Sequence, residues 1–388
     1  MRLDLTDAQK ALAARIDAWL PGALEGHRAD WPDAADEDRA FAAEIAWERT
    51  LHDAGWAAMH WPEAYGGRGL GIVEHHLVMR ALGAAMAPEG ANNIGRELAG
   101  PIILARGTEA QKRRFLPRIA ACAEVWCQGF SETEAGSDLA ALRTRAVRDG
   151  DGWRIDGHKV WTSYARHAQW CLLIARTDGS AKPHAGLTLF LVPMDAPGLA
   201  VTPIRQITGK HTFNEVALDG VTVGDDLRLG PVDAGWDVAM GVLAFERGTT
   251  RLYRQARFAA ELREMARLLG PDAEPERIGR LHARLSVLEA QNWRIVSRVA
   301  AGERIGAEAS LQKLAWSELH MDMLREAQAL AGPAFLTDPD WAPLRHAYLQ
   351  AQAETVYAGS SEVQRGIIAD RILHLPRPPR PTPSEARA

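Results

Sequence analysis

Residues 143–163 read Arg143-Thr144-Arg145-Ala146-Val147-Arg148-Asp149-Gly150-Asp151-Gly152-Trp153-Arg154-Ile155-Asp156-Gly157-His158-Lys159-Val160-Trp161-Thr162-Ser163. Three Asp-Gly pairs, at 149–150, 151–152 and 156–157, separate short β-branched or aromatic runs. Asp-Gly favours the tight turns that join antiparallel strands, so the stretch predicts hairpins. The texture persists to residue 224, with strands expected at Arg143–Val147, Trp153–Ile155, Lys159–Ser163, Trp170–Arg176, Leu187–Val192, Leu199–Ile204 and Phe213–Val223. Together they predict a compact antiparallel sheet or small barrel.

Helical periodicity lies on both sides of this block. Ala11, Leu12, Ile16, Trp19 and Leu20 recur at three- and four-residue spacing, and helices are expected near Glu74–Met86 and Glu109–Ala121. Three glycines and a proline make Trp61 to Gly69 a loop. Beyond Pro231, Met240, Val242, Leu243 and Phe245 open one long helix, Leu281–Val299 gives a second and Leu311–Ala331 a third. The closing Pro376-Arg377-Pro378-Pro379-Arg380-Pro381-Thr382-Pro383 cannot pack as a helix. The division is therefore an N-terminal helical domain (1–122), a middle antiparallel β-barrel-like domain (123–232), a C-terminal helical bundle (233–375) and a Pro-rich tail (376–388). The fold class is α+β, mostly α.

Composition narrows the function. A net charge of −5 over 388 residues excludes a basic nucleic-acid-coating protein, and 47% apolar residues exclude disorder for most of the chain. Three cysteines, Cys122, Cys127 and Cys171, form no disulfide framework and have no zinc-ligand spacing, so no metal is expected. Charges at Arg2, Asp4, Asp7, Lys10, Arg15 and Asp17 interrupt any signal-peptide stretch, and no run approaches the ~18–20 apolar residues of a membrane span. A cytoplasmic location follows. Tryptophan is unusually abundant, 13 residues against 8 phenylalanines, which directs attention to flat ligands.

The sequence contains no GxGxxG after a strand and no P-loop, HExxH or GxSxG. Three other segments can carry chemistry. Gln128-Gly129-Phe130-Ser131-Glu132-Thr133-Glu134-Ala135-Gly136-Ser137-Asp138 offers small and hydroxyl residues whose main-chain N–H groups suit a planar heterocycle, although it also reads as a plain polar turn. Lys159-Val160-Trp161-Thr162-Ser163 sets an aromatic plane beside hydroxyls, although a core strand reads the same way. Val356-Tyr357-Ala358-Gly359-Ser360-Ser361-Glu362-Val363-Gln364-Arg365 places a helix cap after a glycine.

These pieces, in this order, together with the Trp61–Leu70 loop, Thr144-Arg145-Ala146 and Gly157–Trp161, resemble the acyl-CoA dehydrogenases over nearly the whole chain. The resemblance implies helical N-terminal, middle β and C-terminal four-helix-bundle domains. It also implies FAD and the oxidation of an acyl-CoA thioester to its 2-enoyl-CoA. By the same resemblance the backbone around Gln128, Phe130 and Ser131 meets the pyrimidine side of the flavin, and Trp161 and Thr162 flank the ring. Ser163 reaches flavin N5, which accepts the hydride. Ser360, Glu362, Gln328 and Gly332 hold the ADP half, and Ser137 touches the CoA portion.

Two family features are altered. The usual catalytic Glu before Gly359 is Ala358, which cannot accept a proton. A minority of the family carries its base on the first long C-terminal helix, and Leu243-Ala244-Phe245-Glu246-Arg247-Gly248 places Glu246 there. Arg247 then falls at a substrate-contact position, and the Ala358 N–H still faces the thioester carbonyl. The family's Arg-x-x-Phe-Gly-Lys-Pro segment is replaced by Ala266-Arg267-Leu268-Leu269-Gly270-Pro271-Asp272-Ala273-Glu274-Pro275, and its Gln-x-x-Gly-Gly-x-Gly by Gln328-Ala329-Leu330-Ala331-Gly332-Pro333. Both changes are similar to a bacterial subgroup with heterotetrameric members acting on sterol-derived acyl-CoAs. The implied partners are an acyl-CoA and an electron-transferring flavoprotein, in a homotetramer, a dimer of dimers or a heteromer. An acyl-CoA oxidase or flavin monooxygenase on the same fold, and a non-catalytic subunit, remain open at this point.

Overall fold

The computed structural model describes residues 4–29, 36–247, 252–270, 273–303 and 305–376. The chain begins with α1 (Asp7–Ala29) and α2 (Glu37–Asp53), then α3 (Ile72–Ala84), α4 (Gly100–Arg106) and α5 (Glu109–Ala120). The Thr108 hydroxyl and the Gln111 side chain cap the start of α5 reciprocally. Trp61 is fully buried under Gly100, and Gly67 packs on the Trp61 carbonyl, so the glycines of the 61–70 loop allow a close approach that a Cβ would block.

The β block follows the hairpin signals. Its strands are β1 (Trp126–Gly129), β2 (Arg145–Asp149), β3 (Gly152–Ser163), β4 (Trp170–Arg176), β5 (Leu187–Pro193), β6 (Leu199–Ile204), β7 (Phe213–Gly224) and β8 (Arg228–Leu229). They form one sheet in the order β6-β7-β3-β2-β4-β5-β8, with β1 added on β4. Most pairs are antiparallel, but β1–β4 and β2–β4 run parallel, which corrects the purely antiparallel expectation. The two runs expected at 153–155 and 159–163 are one strand, β3, whose register against β7 shifts at Ile155/Gly157 and at Lys159/Thr162.

Alternate residues of the central strands enter two different cores. Leu172 and Ile174 of β4, with Leu187, Leu189 and Leu191 of β5, pack on Ile102 of α4, Phe115 and Leu116 of α5, and Val238 and Val242 of α6 (Gly235–Arg247). Cys171, Leu173 and Ala175, with Phe190 and Val192, face inward with Trp153, Ile155 and Val216. The C-terminal core joins α7 (Arg254–Leu269), α8 (Pro275–Ala300), α9 (Glu308–Ala331), α10 (Ala334–Thr337) and α11 (Ala342–Ala351), and α12 (Ser361–Arg371) packs on α9. Helix α8 buries Leu281, Leu285, Leu288, Asn292 and Ile295, a stripe at helical spacing. The helix expected to run on from Met240 does not continue unbroken into α7, because Leu252 and Tyr253 form a turn before it; residues 248–251 lie outside the described residues.

Gly100→Ala would drive a methyl group into the Trp61 ring. Chemical denaturation should show a loss of about 1–3 kcal/mol from overpacking, and an unchanged midpoint would contradict this account of the loop.

Candidate active site

Strand β1 runs beside β4, with Gln128 opposite Leu172, and delivers the chain into the 131–138 turn. Asn92, fully buried, holds it there: its Oδ1 accepts from Trp126 N at 2.9 Å and its Nδ2 donates to the Glu124 carbonyl at 3.1 Å. The turn closes on mutual bonds between Glu132 and Ala135, leaving Ser137 exposed. Val160 N donates to the Ser131 carbonyl at 3.0 Å, so the first two segments singled out in the sequence are joined backbone to backbone.

A buried ion pair reinforces that junction. Lys159 Nζ donates to Glu132 Oε1 at 2.8 Å and to the Phe130 carbonyl at 3.1 Å. The Glu132 carboxylate also accepts from Arg143 N at 2.6 Å and Thr144 N at 2.9 Å. Burial works to raise the Glu132 carboxyl, but Lys159 and the backbone donors outweigh it and hold it below its ordinary value. Burial also pushes the Lys159 ammonium down, against the pull of Glu132. Sequence reading missed both residues, and the signal available was only two opposite charges in two segments already chosen for other reasons.

Beyond Lys159 the register shift turns Trp161 outward. Trp161 has φ +61° and is 57% exposed, against a Phe213 ring 6.1 Å away and edge-on. Ser163, two residues on and half-buried, follows it on the strand. Thr162 between them has no exposed surface, and its carbonyl accepts from Asn214 Nδ2 at 3.0 Å. Phe130 is likewise buried, so of that segment the half-buried Gln128 and Ser131 have side-chain surface to offer. An exposed indole beside half-buried serines fits a flat ring with polar edge atoms.

The C-terminal segment forms a separate cluster. Ser360 caps α12 by accepting from Val363 N at 3.3 Å, and Glu362 is exposed in the first helical turn. Ala358 is left-handed (φ +56°), followed by Gly359 (φ +89°), and Gln364 Nε2 donates to both carbonyls at 2.9 and 3.2 Å. Lys313 of α9 bears on the Glu362 carboxylate. Gln328 lies at the other end of α9, which Gly332 terminates at φ +57°. The fifteen residues from Lys313 to Gln328 correspond to about 22 Å of helix, so one chain does not bring Gln328 and Gly332 to Ser360 and Glu362. Glu246 and Arg247 end α6, but their side chains lie outside the described residues.

Three family profiles match the chain: the acyl-CoA dehydrogenase N-terminal domain at residues 6–123, the middle domain at 127–221 and the C-terminal domain at 233–373. The chain belongs to the acyl-CoA dehydrogenase family. Acyl-CoA dehydrogenase IpdE1 of Mycobacterium tuberculosis H37Rv is 40% identical over 94% of this chain and 97% of its own length. The solved Tcur3481-Tcur3483 steroid ACAD has a TM-score of 0.86 at 30% identity, covering 97% of this chain and all of that one. The ChsE4-ChsE5 complex from Mycobacterium tuberculosis has a TM-score of 0.84 at 29% identity and the same coverage. This acyl-CoA dehydrogenase is accordingly an oxidoreductase, of a family that typically binds FAD. Among the described residues no helix is long and apolar enough to cross a membrane, and no cluster of side chains could hold a metal ion.

Lys159→Met would strand the Glu132 carboxylate in the interior. Breaking a buried pair from one side costs about 3–5 kcal/mol, so the variant should unfold at lower denaturant and retain less flavin on purification. Wild-type stability together with full flavin content would remove the pair from its assigned place.

Proposed function

We propose that this acyl-CoA dehydrogenase removes the α-proton of an acyl-CoA thioester with Glu246, giving the 2-enoyl-CoA. The observation that carries this reading is Ala358: the position where the family most often has its acid holds a methyl group in a left-handed turn fixed by Gln364. A carboxylate must come from another element, and α6 ends on Glu246 and Arg247. FAD, when bound, supplies the two-electron acceptor for the hydrogen leaving the β-carbon. Trp161, Ser163, Gln128 and the Phe130–Ser131 backbone would hold its ring, with Thr162 supporting them from the interior. The Ala358 N–H would face the thioester carbonyl, where a fixed donor stabilises developing negative charge. Arg247 would orient Glu246 or meet the CoA, and Ser137 would meet the CoA.

The placement of the ADP-side residues favours an assembly. Because Gln328 stands about 22 Å and Gly332 about 28 Å along α9 from Lys313, which bears on Glu362, a complete ADP site would draw one pair from this chain and the other from a second subunit. Likeness to the ChsE4-ChsE5 complex supports a heteromer, and likeness to a steroid ACAD supports a ring-bearing acyl group. Electrons would pass to an electron-transferring flavoprotein in the cytoplasm. The breaks between α5 and β1 and between β8 and α6 support domain limits near residues 122 and 232.

Glu246→Gln should keep the flavin spectrum while enoyl-CoA formation falls by about 10²–10⁴-fold, the usual worth of a positioned base. Retained turnover would sink the assignment. Purified alone, the chain should carry less than one FAD per polypeptide; a homotetramer with one FAD per chain rejects the heteromer.

A further inference from the structure

Behind the Tyr357–Ala358 turn, the C-terminal helices bury a chain of charges that the proposed reaction does not use. His320 of α9 has Nδ1 2.7 Å from Glu354 Oε2 and Nε2 2.9 Å from Glu261 Oε2, and Phe258 stacks on its ring at 4.0 Å. Carboxylates accept hydrogen bonds, so an imidazole held by one at each nitrogen must donate from both and is an imidazolium. Glu354 Oε1 accepts from Arg254 Nη1 at 2.5 Å, and Arg254 Nη2 reaches the Tyr357 hydroxyl at 3.1 Å. The Arg254 guanidinium lies 4.2 Å over the Trp316 ring, which leaves it little freedom.

We propose that His320 is a positioning residue charged at neutral pH: through Glu354 and Arg254 it fixes Tyr357, and with it the angle at which Ala358 meets the thioester carbonyl. The inference rests on the placement of Ala358 at that carbonyl proposed above. Gln364 holds the turn from its carbonyl side, and the charge chain holds it from the side of the Tyr357 ring. Glu261 and Glu354 contact His320 directly. Beyond them stand Arg254 and Arg257 of α7, Arg257 lying 3.6 Å from Glu261 and 3.8 Å from Glu89, while α8 and α12 meet α9 through the outer pairs Arg284–Asp322 and Arg365–Glu318. Burial works to lower the His320 pKa, yet the two carboxylates outweigh it and raise it to about 9. A histidine raised in the fold contributes its full stabilisation below its ordinary pKa of 6.5 and loses it progressively from there to about 9, where the imidazolium itself gives up its proton.

The test uses the assembled holoenzyme and an aryl-conjugated enoyl-CoA, whose absorbance shifts to the red when its carbonyl accepts hydrogen bonds. Binding to the wild type should give a red shift that weakens, together with kcat, as pH passes about 9. His320→Gln should diminish the shift at neutral pH, lower kcat about tenfold with KM within about threefold, and abolish the alkaline limb. Tyr357→Phe removes only the hydroxyl at the end of the chain, so it should keep the fold and reproduce the smaller shift even where His320→Gln is unstable. Glu246→Gln separates the two readings, because it should lose turnover and keep the red shift. Variants of His320 and Tyr357 with wild-type shifts and an unchanged alkaline limb would overturn the role of His320. A wild type that gives no red shift would refute the placement of Ala358 and the inference with it.

Discussion

Strands β4 and β5 have almost no side chain that can meet water on either face of the sheet. Leu172, Ile174, Leu187, Leu189 and Leu191 need cover on one side, and Cys171, Leu173, Phe190 and Val192 need it on the other. Each large aliphatic left exposed would forgo about 1.5–3 kcal/mol, so two layers must be supplied. One comes from within, as the sheet bends around Trp153, Ile155 and Val216. The other is taken from helices on both sides of the block in sequence, α4 and α5 before it and α6 after it. The helix–strand–helix order of the chain is thus a consequence of a sheet that cannot be solvated. The segments proposed to hold the flavin and the CoA emerge where this packing ends, at the Lys159/Thr162 register shift and the 131–138 turn.

Much of this was legible because its signals are local. Asp-Gly pairs and alternating runs placed β2 through β7 to within a few residues, and leucine periodicity placed α8 and α9. What was not legible is non-local. Strand β1 has four residues ending in glycine, pairs in parallel with β4 more than forty residues away, and is held by Asn92 from the helical region. β8 has two residues and relies on β5, while Gln111 of α5 donates to the neighbouring Asp226 and Arg228 carbonyls at 2.7 and 2.9 Å. Neither carries a pattern a window could detect.

The site divides the same way. Trp161 stands out from thirteen tryptophans because hydroxyls follow it, and among the described residues it is the tryptophan that is largely exposed. Strand alternation separates Thr162 from its neighbours, a distinction that depends on register rather than composition. Glu132, Lys159 and His320 escaped notice because an isolated charge in a sequence usually belongs to a solvated face. Only tertiary contacts make them buried and paired.

Placing the proposed base on α6 also changes what the 358 turn has to do. When the proton acceptor and the carbonyl donor belong to one residue, any shift that tunes the acid also moves the donor. With the acid on α6, the turn has only a backbone angle to maintain, and it can be held rigidly from both sides. Gln364 grips its carbonyls while Arg254 grips Tyr357. A carboxylate at 358 would add a negative group on the residue next to Tyr357, whose hydroxyl accepts from an arginine already committed to Glu354. Alanine at 358 adds no such group, so the pairing of Arg254 with Glu354 meets no further charge from the turn, and Gln364 and Arg254 are left to set its geometry.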